Sequence, residues 1–558
     1  MAILLFTLLL GMKRSRCSIF ILPIAFMYLG SLLGQPNTIG TLFIDKLNVS
    51  EGYTLIYPET QNVVFLIDNC GQVVHKWIGK ETQGPGKEVY LLEDGNLLRT
   101  NTQAGVYQNS FGTGGAGGVV ELQSWDNEDI WSYIAADSLI RQHHDVQYMP
   151  NGNVLLIVWE KQIREKFVAA GFDTLSNNQS ELWPDKIIEV NPANDSIVWE
   201  WRCWDHLIQE FDSTKMNYGK VDEHLELIDL NYQEFTFQRQ DIHHINAIDY
   251  NPELDQILVS VRNFNELWII DHSTTTEQAA THSGGNSGKG GDLLWRWGNP
   301  ASYKRGTVDD QKLFRPHYSS WVSSEELNGE FGTSITVYNN FIGANLSLGQ
   351  LITPMNSDSG YIKDFIYFPI DFSATYSHPD TVKNFSTAGS SIEILENGNI
   401  LFCAARQGRI FEIDNAGELV WEYLTPLRNG FPISQGDIIS LSENFTFSAR
   451  KYGLDYPAFQ GKDLSPKGFI ELNPSDYCLS TSVYEPANEV LIYPNPTSDF
   501  LYIQSPVETR GNVIDVMGKI IKEIEISEGE TQIDLSNMIN GVYILLLEDF
   551  SYIRILKI

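Results

Sequence analysis

Two adjacent histidines, His243 and His244, open a stretch whose residue types are suited to chemistry on an anion. Asn246 follows closely, and Arg262 ends the strand-like run ILVSVR, 18 positions after His244. A turn at residues 251–255 separates this run from the preceding one, so the two form a predicted β-hairpin whose ends meet. Imidazole and guanidinium groups brought together in this way can bind an oxyanion, because Arg offers a planar fork of donors and His can donate, accept or attack. A simpler interpretation, a buried polar pair that satisfies loop carbonyl groups, remains open for this stretch alone.

Histidines recur at equivalent places elsewhere in the chain. His143 and His144 stand just before the turn Pro150-Asn151-Gly152-Asn153, and His317 in the run FRPHYSSWV stands before a turn near residue 328. Repetition of one residue type ahead of successive hairpins indicates one structural position used several times. That repetition favours a shared site over three unrelated buried histidines.

Two short signatures repeat along the chain and predict the elements that position these residues. One is a turn before an apolar strand, as in PNGNVLLIV from residue 150, and six such signals occur. The other is a hairpin that ends in tryptophan, as in FEIDNAGELVW up to Trp421, and five are clear. Six copies of a four-stranded unit predict an all-β fold, a six-bladed β-propeller over residues 35–484, with tryptophans between the blades. Seven or eight blades, or an array of β-sandwiches, are the alternatives.

The predicted propeller places the candidate site residues around one axis. Residues that lead the innermost region of each blade face the central axis, so His144, His244 and His317 should share one pocket there with Arg262. The Ser/Thr/Gly-rich segment at residues 272–291 interrupts the repeat and is predicted to be a mobile loop.

Length and composition agree with this organisation and exclude several partners. The chain has 558 residues, too many for one ordinary core, and 12% of them are aromatic, which favours β structure. The formal net charge of −33 argues against nucleic acid and anionic membranes as partners. An anionic small substrate would therefore need a locally basic pocket.

The N-terminal segment has the pattern of an export signal. A basic run at residues 13–16 precedes the apolar run 17–34, so residues 1–34 are predicted to be a signal peptide, with the true start possible at Met12. A retained membrane anchor is the alternative. Beyond this segment, four cysteines could form two disulfides in three connectivities, and the lack of a CxxC motif argues against a zinc knuckle. They are Cys70, Cys203, Cys403 and Cys478.

The chain changes character near Glu485. Residues 485–558 contain alternating strand patterns, the run YPNP at 493–496, the turn DVMGK at 515–519, the run NGVY at 540–543 and a basic tail. This stretch resembles the type A C-terminal sorting domain of the type IX secretion system. The resemblance implies a small β-sandwich, export through the periplasm, delivery outside the cell or to its surface, and the outer-membrane secretion machinery as a partner. An unrelated immunoglobulin-like appendage is the alternative.

The histidine motifs carry a second resemblance. HHD before PNGN, HHIN before SVR and PH before a third hairpin resemble the arylsulfate sulfotransferase family. The resemblance implies a six-bladed propeller that moves a sulfuryl group from an aryl sulfate ester to a phenolic acceptor, with no nucleotide donor, metal or other cofactor. It assigns the nucleophile to His317, further catalytic roles to His144, His244 and Arg262, and substrate binding to Asn246 and His143.

The sequence departs from the family pattern at two places. His143 could take the role of His144, and the segment after the nucleophile reads Tyr338-Asn339-Asn340-Phe341 where the family has an Asp-Asn-Gly turn.

The implied chemistry is physically reasonable. Sulfuryl transfer should pass through a loose transition state with charge on the peripheral oxygens, and a neutral imidazole is a suitable nucleophile for it. A nucleophile with an ordinary histidine pKa would lose activity below about pH 6.5.

Three other functions compete with this one. They are a transition-metal site built from the axial histidines, a non-catalytic secreted or surface propeller that binds glycans or acts as an adhesin, and a quinone-dependent dehydrogenase. A cation at Arg262 argues against a metal beside it.

Overall fold

A computed structural model describes most of the chain after residue 36. The described residues are 37–103, 111–232, 240–322, 333–343, 345–475, 478, 491–495, 497–505, 508–515, 519–547 and 552–557. The predicted signal peptide, residues 1–34, lies outside the described residues. Within these ranges no helix combines the length and apolar character needed to cross a membrane.

Short strands joined by tight turns account for most of the regular structure. The strands up to residue 163 are β1 (Gly40–Ile44), β2 (Tyr53–Pro58), β3 (Val63–Ile67), β4 (Val73–Ile78), β5 (Gln83–Leu91), β6 (Leu97–Gln103), β7 (Gly118–Gln123), β8 (Asp129–Ile134), β9 (Ile140–Tyr148), β10 (Val154–Glu160) and β11 (Gln162–Ile163). The strands from residue 181 to 297 are β12 (Glu181–Leu182), β13 (Asp185–Asn191), β14 (Ser196–Arg202), β15 (Leu207–Ile208), β16 (Ile228–Asp229), β17 (Ile245–Asn251), β18 (Gln256–Val261), β19 (Glu266–Asp271) and β20 (Trp295–Trp297).

The second half of the chain continues the pattern. The strands up to residue 452 are β21 (His317–Val322), β22 (Ser334–Gly343), β23 (Leu346–Ile352), β24 (Asn356–Ser357), β25 (Gly360–Tyr361), β26 (Ala374–Tyr376), β27 (Ser391–Ile394), β28 (Ile400–Ala404), β29 (Arg409–Ile413), β30 (Leu419–Leu424), β31 (Leu427–Arg428), β32 (Phe431–Pro432) and β33 (Thr446–Tyr452). The last strands are β34 (Leu491–Tyr493), β35 (Phe500–Ser505), β36 (Thr509–Asp515), β37 (Ile520–Ile526), β38 (Gly529–Asp534), β39 (Gly541–Leu547) and β40 (Tyr552–Lys557).

Helices are short. The α-helices of the described residues are α1 (Arg164–Ala169) and α2 (Thr276–Ala279). The 3-10 helices are Cys203–His206, Val221–Glu223, Pro300–Tyr303, Val308–Asp310, Thr381–Asn384, Ala405–Gln407 and Pro457–Phe459.

The described residues form six antiparallel sheets of the blade type. In strand order they are β33-β2-β3-β4, β5-β6-β7-β8, β9-β10-β13-β14, β17-β18-β19-β20, β21-β22-β23-β26, and β27-β28-β29-β30 with β1 as a fifth strand. The first strands of these sheets contact one another in the order β33, β5, β9, β17, β21, β27, and β27 contacts β33 again. The all-β class is therefore confirmed, and a closed ring of six sheets is what the predicted six-bladed propeller requires.

Six hydrophobic clusters of the described residues are each shared by two neighbouring sheets of this ring. One cluster joins Trp77 of the first sheet to Leu97 of the second, and another joins Trp421 of the last sheet to Ile56 of the first. Trp268 lies with Trp201 in the cluster between the third and fourth sheets. Tryptophans therefore fill the spaces between sheets as predicted, because a sheet buries its faces only against its neighbours.

The strands after residue 490 form a separate pair of sheets, β34-β35-β38 and β37-β36-β39-β40. Their shared apolar cluster is drawn from residues of this segment, including Leu501, Val513 and Leu545. Two sheets around one cluster fit the predicted small β-sandwich. The boundary at residue 485 lies outside the described residues and stays a prediction.

The cysteines differ from the sequence expectation. Cys70, in the turn between β3 and β4, forms a disulfide with Cys478, 408 positions away. Cys203 and Cys403 are buried free thiols. The structure therefore has one of the two disulfides that the sequence allowed, because Cys203 and Cys403 lie in the cores of different sheet interfaces.

The disulfide gives a testable prediction. Cys478→Ser should lower the free energy of unfolding by about 2–4 kcal/mol, because the cross-link restricts the unfolded chain. Chemical denaturation with and without the substitution measures the difference. As a check on the pairing, thiol labelling of the denatured, unreduced chain from residue 37 onward should detect Cys203 and Cys403 alone, and labelling of Cys70 would contradict the assignment.

Candidate functional site

The predicted histidines lie on the inner strands of three adjacent sheets. His144 is in β9, His244 immediately precedes β17, and His317 is the first residue of β21. The pairing register breaks next to each of them, and His144 and His244 have positive φ values of 52° and 59°. Such β-bulges re-aim a side chain, so the backbone at these positions departs from regular strand to orient the imidazoles.

The predicted hairpin brings Arg262 beside His244. Arg262 directly follows β18, which pairs with β17, and its backbone N–H donates to the carbonyl oxygen of His244 at 3.2 Å. Its guanidinium Nη1 donates to Asn263 Oδ1 at 3.0 Å. The two ends of the hairpin therefore meet as expected.

His317 is held in a single tautomer. Its Nδ1 lies 3.0 Å from the carbonyl oxygen of Arg315 and 2.8 Å from Asn340 Oδ1. The Asn340 amide is itself oriented, because its Nδ2 donates to the carbonyl oxygens of Ser386 and Gly389 at 3.1 and 2.9 Å. Both neighbours of Nδ1 are acceptors, so Nδ1 carries the hydrogen and Nε2 keeps its lone pair.

Burial keeps this imidazole neutral. His317 is 2% exposed, and burial, then the positive charge of Arg262, then His244 lower its pKa to about 3. The expected ordinary pKa near 6.5 is therefore wrong for this residue. A neutral ring with a free Nε2 lone pair is the form of histidine that can attack an electrophile.

His244 is paired with a buried carboxylate that the sequence analysis missed. Its Nδ1 is hydrogen-bonded to Asp241 Oδ2, and Trp159 Nε1 donates to Asp241 Oδ1 at 3.1 Å. Burial alone would raise the pKa of Asp241, but His244 beside it brings that pKa below its ordinary value. Asp241 is thus a carboxylate that orients His244, and its position three residues before His244 was a usable signal.

The two histidines of the HHD motif have different surroundings. The His144 ring lies 4.6 Å from the His244 ring, centroid to centroid. His143 instead stacks flat on Trp159 at 3.9 Å, and its Nε2 lies 2.8 Å from Asp185 Oδ1 without the alignment of a hydrogen bond. His144 therefore faces the other site histidine, while His143 packs behind it.

Both HHD histidines are held neutral by their surroundings. Burial lowers the pKa of His143 to about 3. Burial, then His244, then His143 hold the pKa of His144 well below its ordinary value. The two Nδ1 atoms lie 2.9 Å apart, so one ring donates to the other.

Asn246 connects two of the inner strands. Its Nδ2 donates to the carbonyl oxygen of Pro316 at 2.9 Å, and Ser260 Oγ donates to its Oδ1. Both polar ends of this buried amide are thus occupied by protein groups, one of them next to His317. This placement links Asn246 to the backbone next to His317, and the predicted contact of Asn246 with substrate stays a prediction.

A glycine that the sequence analysis passed over sets the position of His144. The His144 backbone N–H donates to the carbonyl oxygen of Gly115 at 2.8 Å, and Gly115 has a φ of 90°. A Cβ at Gly115 would come within 1.9 Å of the His144 ring. The glycine run at residues 112–118, GTGGAGG, was the signal for this close approach.

The inner strands line a polar cavity of about 210 Å³, and His144, His244 and His317 are not among its lining residues. Asp145, Asp249, Tyr90, Tyr318 and Arg450 line it. Burial, then the charge of Glu88, raises the pKa of Asp145 to about 8, and Tyr90 donates to its Oδ1 at 2.6 Å. The space enclosed by the inner strands is therefore polar and charged at this point.

The C-terminal segment matches a known family model. Residues 491–558 match the secretion system C-terminal sorting domain. Proteins with this domain are exported through the type IX secretion system to the cell surface or the outside, so the predicted localisation is confirmed.

Several solved structures are similar at low identity. A protein of unknown function from Bacteroides caccae is 12% identical, with 72% of this chain and 99% of that chain covered and a TM-score of 0.39. The β-propeller domain of Cps50 (Swd1) from Myceliophteria thermophila is 11% identical, with coverage of 75% and 97% and a TM-score of 0.35. Streptogramin B lyase is 12% identical, with coverage of 75% and 96% and a TM-score of 0.33.

No curated protein matches the chain.

The main part of the chain matches a second family model. Residues 45–417 match the model described as arylsulfotransferase (ASST), and this range includes the axial histidines and Arg262. Since the match covers more than half of the chain, the protein belongs to the arylsulfotransferase family.

Proposed function

We propose that the protein transfers a sulfuryl group from an aryl sulfate ester to a phenolic acceptor in two steps, through a sulfated His317. The observation that carries the proposal is the pair of acceptors around His317 Nδ1, which leaves Nε2 as a neutral nucleophile. Membership of the arylsulfotransferase family supports the reaction class.

In the first step, Nε2 of His317 attacks the sulfur of the donor. An N–S bond forms as the bond between sulfur and the aryl oxygen breaks, and the phenolate leaves. Asn340 Oδ1 and the Arg315 carbonyl stabilise the positive charge that develops on the ring, since both accept from Nδ1–H.

The departing phenolate needs a proton, and His244 is suited to supply it. Its Nδ1 is bonded to the Asp241 carboxylate, which orients the ring so that Nε2 can pass a proton to the aryl oxygen. In the second step the acceptor phenol returns its proton to His244 as its oxygen attacks sulfur. The N–S bond breaks, and His317 and His244 regain their starting states.

The peripheral oxygens of the sulfuryl group gain charge in both steps. Arg262 lies close enough to His317 to depress its pKa and remains charged at all working pH values, so it is suited to bind these oxygens throughout. His144, next to His244, would add a further contact from its ring.

The residues assigned to substrate binding take supporting roles in this proposal. His143 is hydrogen-bonded to His144 through the Nδ1 atoms of the two rings. Asn246 donates to the carbonyl oxygen of the residue before His317. Substitution of either residue should therefore lower the rate less than substitution of any of the four axial side chains that would contact the sulfuryl group.

A trapped adduct tests the nucleophile directly. After brief exposure to 4-nitrophenyl sulfate without acceptor, mass spectrometry of the rapidly digested protein should find a sulfuryl group on the peptide that contains His317. His317→Ala should give neither the adduct nor the burst of 4-nitrophenol, because the substitution removes the Nε2 atom that attacks the sulfur. His143→Ala serves as a matched buried control and should keep the adduct. An adduct on another residue, or full turnover by His317→Ala, would remove His317 from the mechanism.

Arg262 variants test the oxyanion contact. Arg262→Ala should lower kcat/KM for both half-reactions by roughly 10²- to 10³-fold, the usual effect of losing one such donor. Arg262→Lys should recover part of this loss, since an ammonium supplies charge without the planar fork. Equal rates for the lysine and alanine variants would show that charge at this position does not assist transfer.

The pH dependence follows from the low pKa of His317. The residue is neutral above its pKa of about 3 and can attack there, whereas protonation below that value abolishes attack. Burst formation from 4-nitrophenyl sulfate, whose leaving group needs no proton, should therefore stay constant between about pH 5 and 8. Stopped-flow measurement of the burst checks this, and a loss centred near pH 6.5 would contradict the assignment.

A further inference from the structure

A second histidine cluster lies outside the residues of the proposed reaction. It comprises His206, at the end of a 3-10 helix, His282, in the segment after α2, and Asp292, which precedes β20. One ligand atom from each residue lies within 4.8 Å of the other two. Two imidazoles and one carboxylate are a donor set that suits zinc and similar ions.

The hydrogen bonds of His206 determine which of its nitrogens is available. Its Nε2 lies 2.8 Å from the carbonyl oxygen of Ala279, an acceptor, so Nε2 carries the hydrogen. In the neutral ring Nδ1 then carries a lone pair, and this atom lies 2.8 Å from Asp292 Oδ1. A lone pair facing a carboxylate oxygen at this distance is repulsive unless a positive centre, a proton or a metal ion, lies between them.

The second histidine approaches the same oxygen. His282 Nδ1 lies 2.7 Å from Asp292 Oδ1, so two imidazoles converge on one carboxylate atom. Metal-bound histidines typically donate their other N–H to a backbone carbonyl, which is the role of Ala279 here. The outer hydrogen bond of a metal site is thus already made.

The surroundings permit binding and exchange. His206 is buried against Trp201, whose ring stacks with it at 5.7 Å, whereas the His282 side chain is 62% exposed. His206 and Asp292 are therefore buried, and His282 approaches them from the solvent side. In a tetrahedral zinc site the ligand atoms lie roughly 3.3 Å apart. Both nitrogen–oxygen separations, 2.8 Å for His206 and 2.7 Å for His282, must therefore widen when an ion enters, through small rotations of the Asp292 carboxylate and of His282.

We propose that His206, His282 and Asp292 bind a divalent transition-metal ion of the zinc type, with the fourth position open to water. The ion takes the place of the positive centre between the three residues. It also links segment 272–291 to the 3-10 helix Cys203–His206 through shared coordination. That segment was expected to be a mobile loop, but it contains α2 with a capping box and several internal hydrogen bonds. The role is structural and independent of sulfuryl transfer.

Metal titration of untagged protein tests the proposal. After treatment with EDTA and its removal, calorimetric titration with Zn²⁺ should show one saturable site, and Co²⁺ should give the visible absorption of a four-coordinate complex. Zn²⁺ should also raise the thermal unfolding temperature. His282→Ala should weaken binding by more than the roughly 10- to 100-fold that loss of an outer hydrogen bond costs, because it removes a ligand.

His224 provides the matched control. It is exposed and its Nδ1 lies 3.0 Å from one carboxylate, that of Glu226, without a second imidazole. His224→Ala should bind Zn²⁺ as the unchanged protein does. Absence of stoichiometric binding, or equal binding by the His282→Ala and unchanged proteins, would overturn the proposal. His282→Ala replaces an exposed side chain, so the comparison does not depend on a core substitution that prevents folding.

Discussion

Removal of water from the inner strands is the constraint on which the site depends. In water an imidazole and a carboxylate exchange hydrogen-bond partners freely. The histidines of the HHD and HHIN motifs are only 0–8% exposed, so each ring must find its hydrogen-bond partner in the protein. Burial also opposes charge, and it is the first cause of the lowered pKa values of His143, His243 and His317. The same constraint makes the few charges that remain, such as Arg262, effective on their neighbours, because screening by solvent is weak there.

The arrangement gives similar residues different surroundings. His317 has neutral acceptors on Nδ1 and is therefore left with a lone pair on Nε2, whereas His244 has a carboxylate at Nδ1. His143 and His144 are neighbours in sequence, yet one stacks on Trp159 and the other lies against His244. Residue type alone does not distinguish these histidines; the partner of each ring nitrogen does.

Much of the fold and part of the site could be predicted from the sequence. The turn-and-tryptophan repeat indicated sheets of one kind, and the hairpin from His244 to Arg262 could be drawn from local turn chemistry. Asn340 could not be recognised, because its contact with His317 requires the pairing of β21 with β22, in which His317 lies opposite Tyr338. Pairing of strands depends on register, and the β-bulge between His317 and Ser320 shifts that register in a way that the turn signal near residue 328 does not predict. The disulfide between Cys70 and Cys478 is a contact of the same long-range kind.

The way the ring of sheets closes affects how the chain can fold as it is made. Strand β2, near the start, obtains its inner neighbour from β33, with Tyr53 opposite Tyr452, and β1 pairs with β30. During synthesis the inner edge of β2 therefore remains without this partner until almost 400 further residues have been added. Pairing over such separations is slow, and an open strand edge is a place where other chains can add. A nascent or truncated chain thus carries an aggregation hazard that the finished ring removes, so protection of this edge before completion is a requirement of the topology itself.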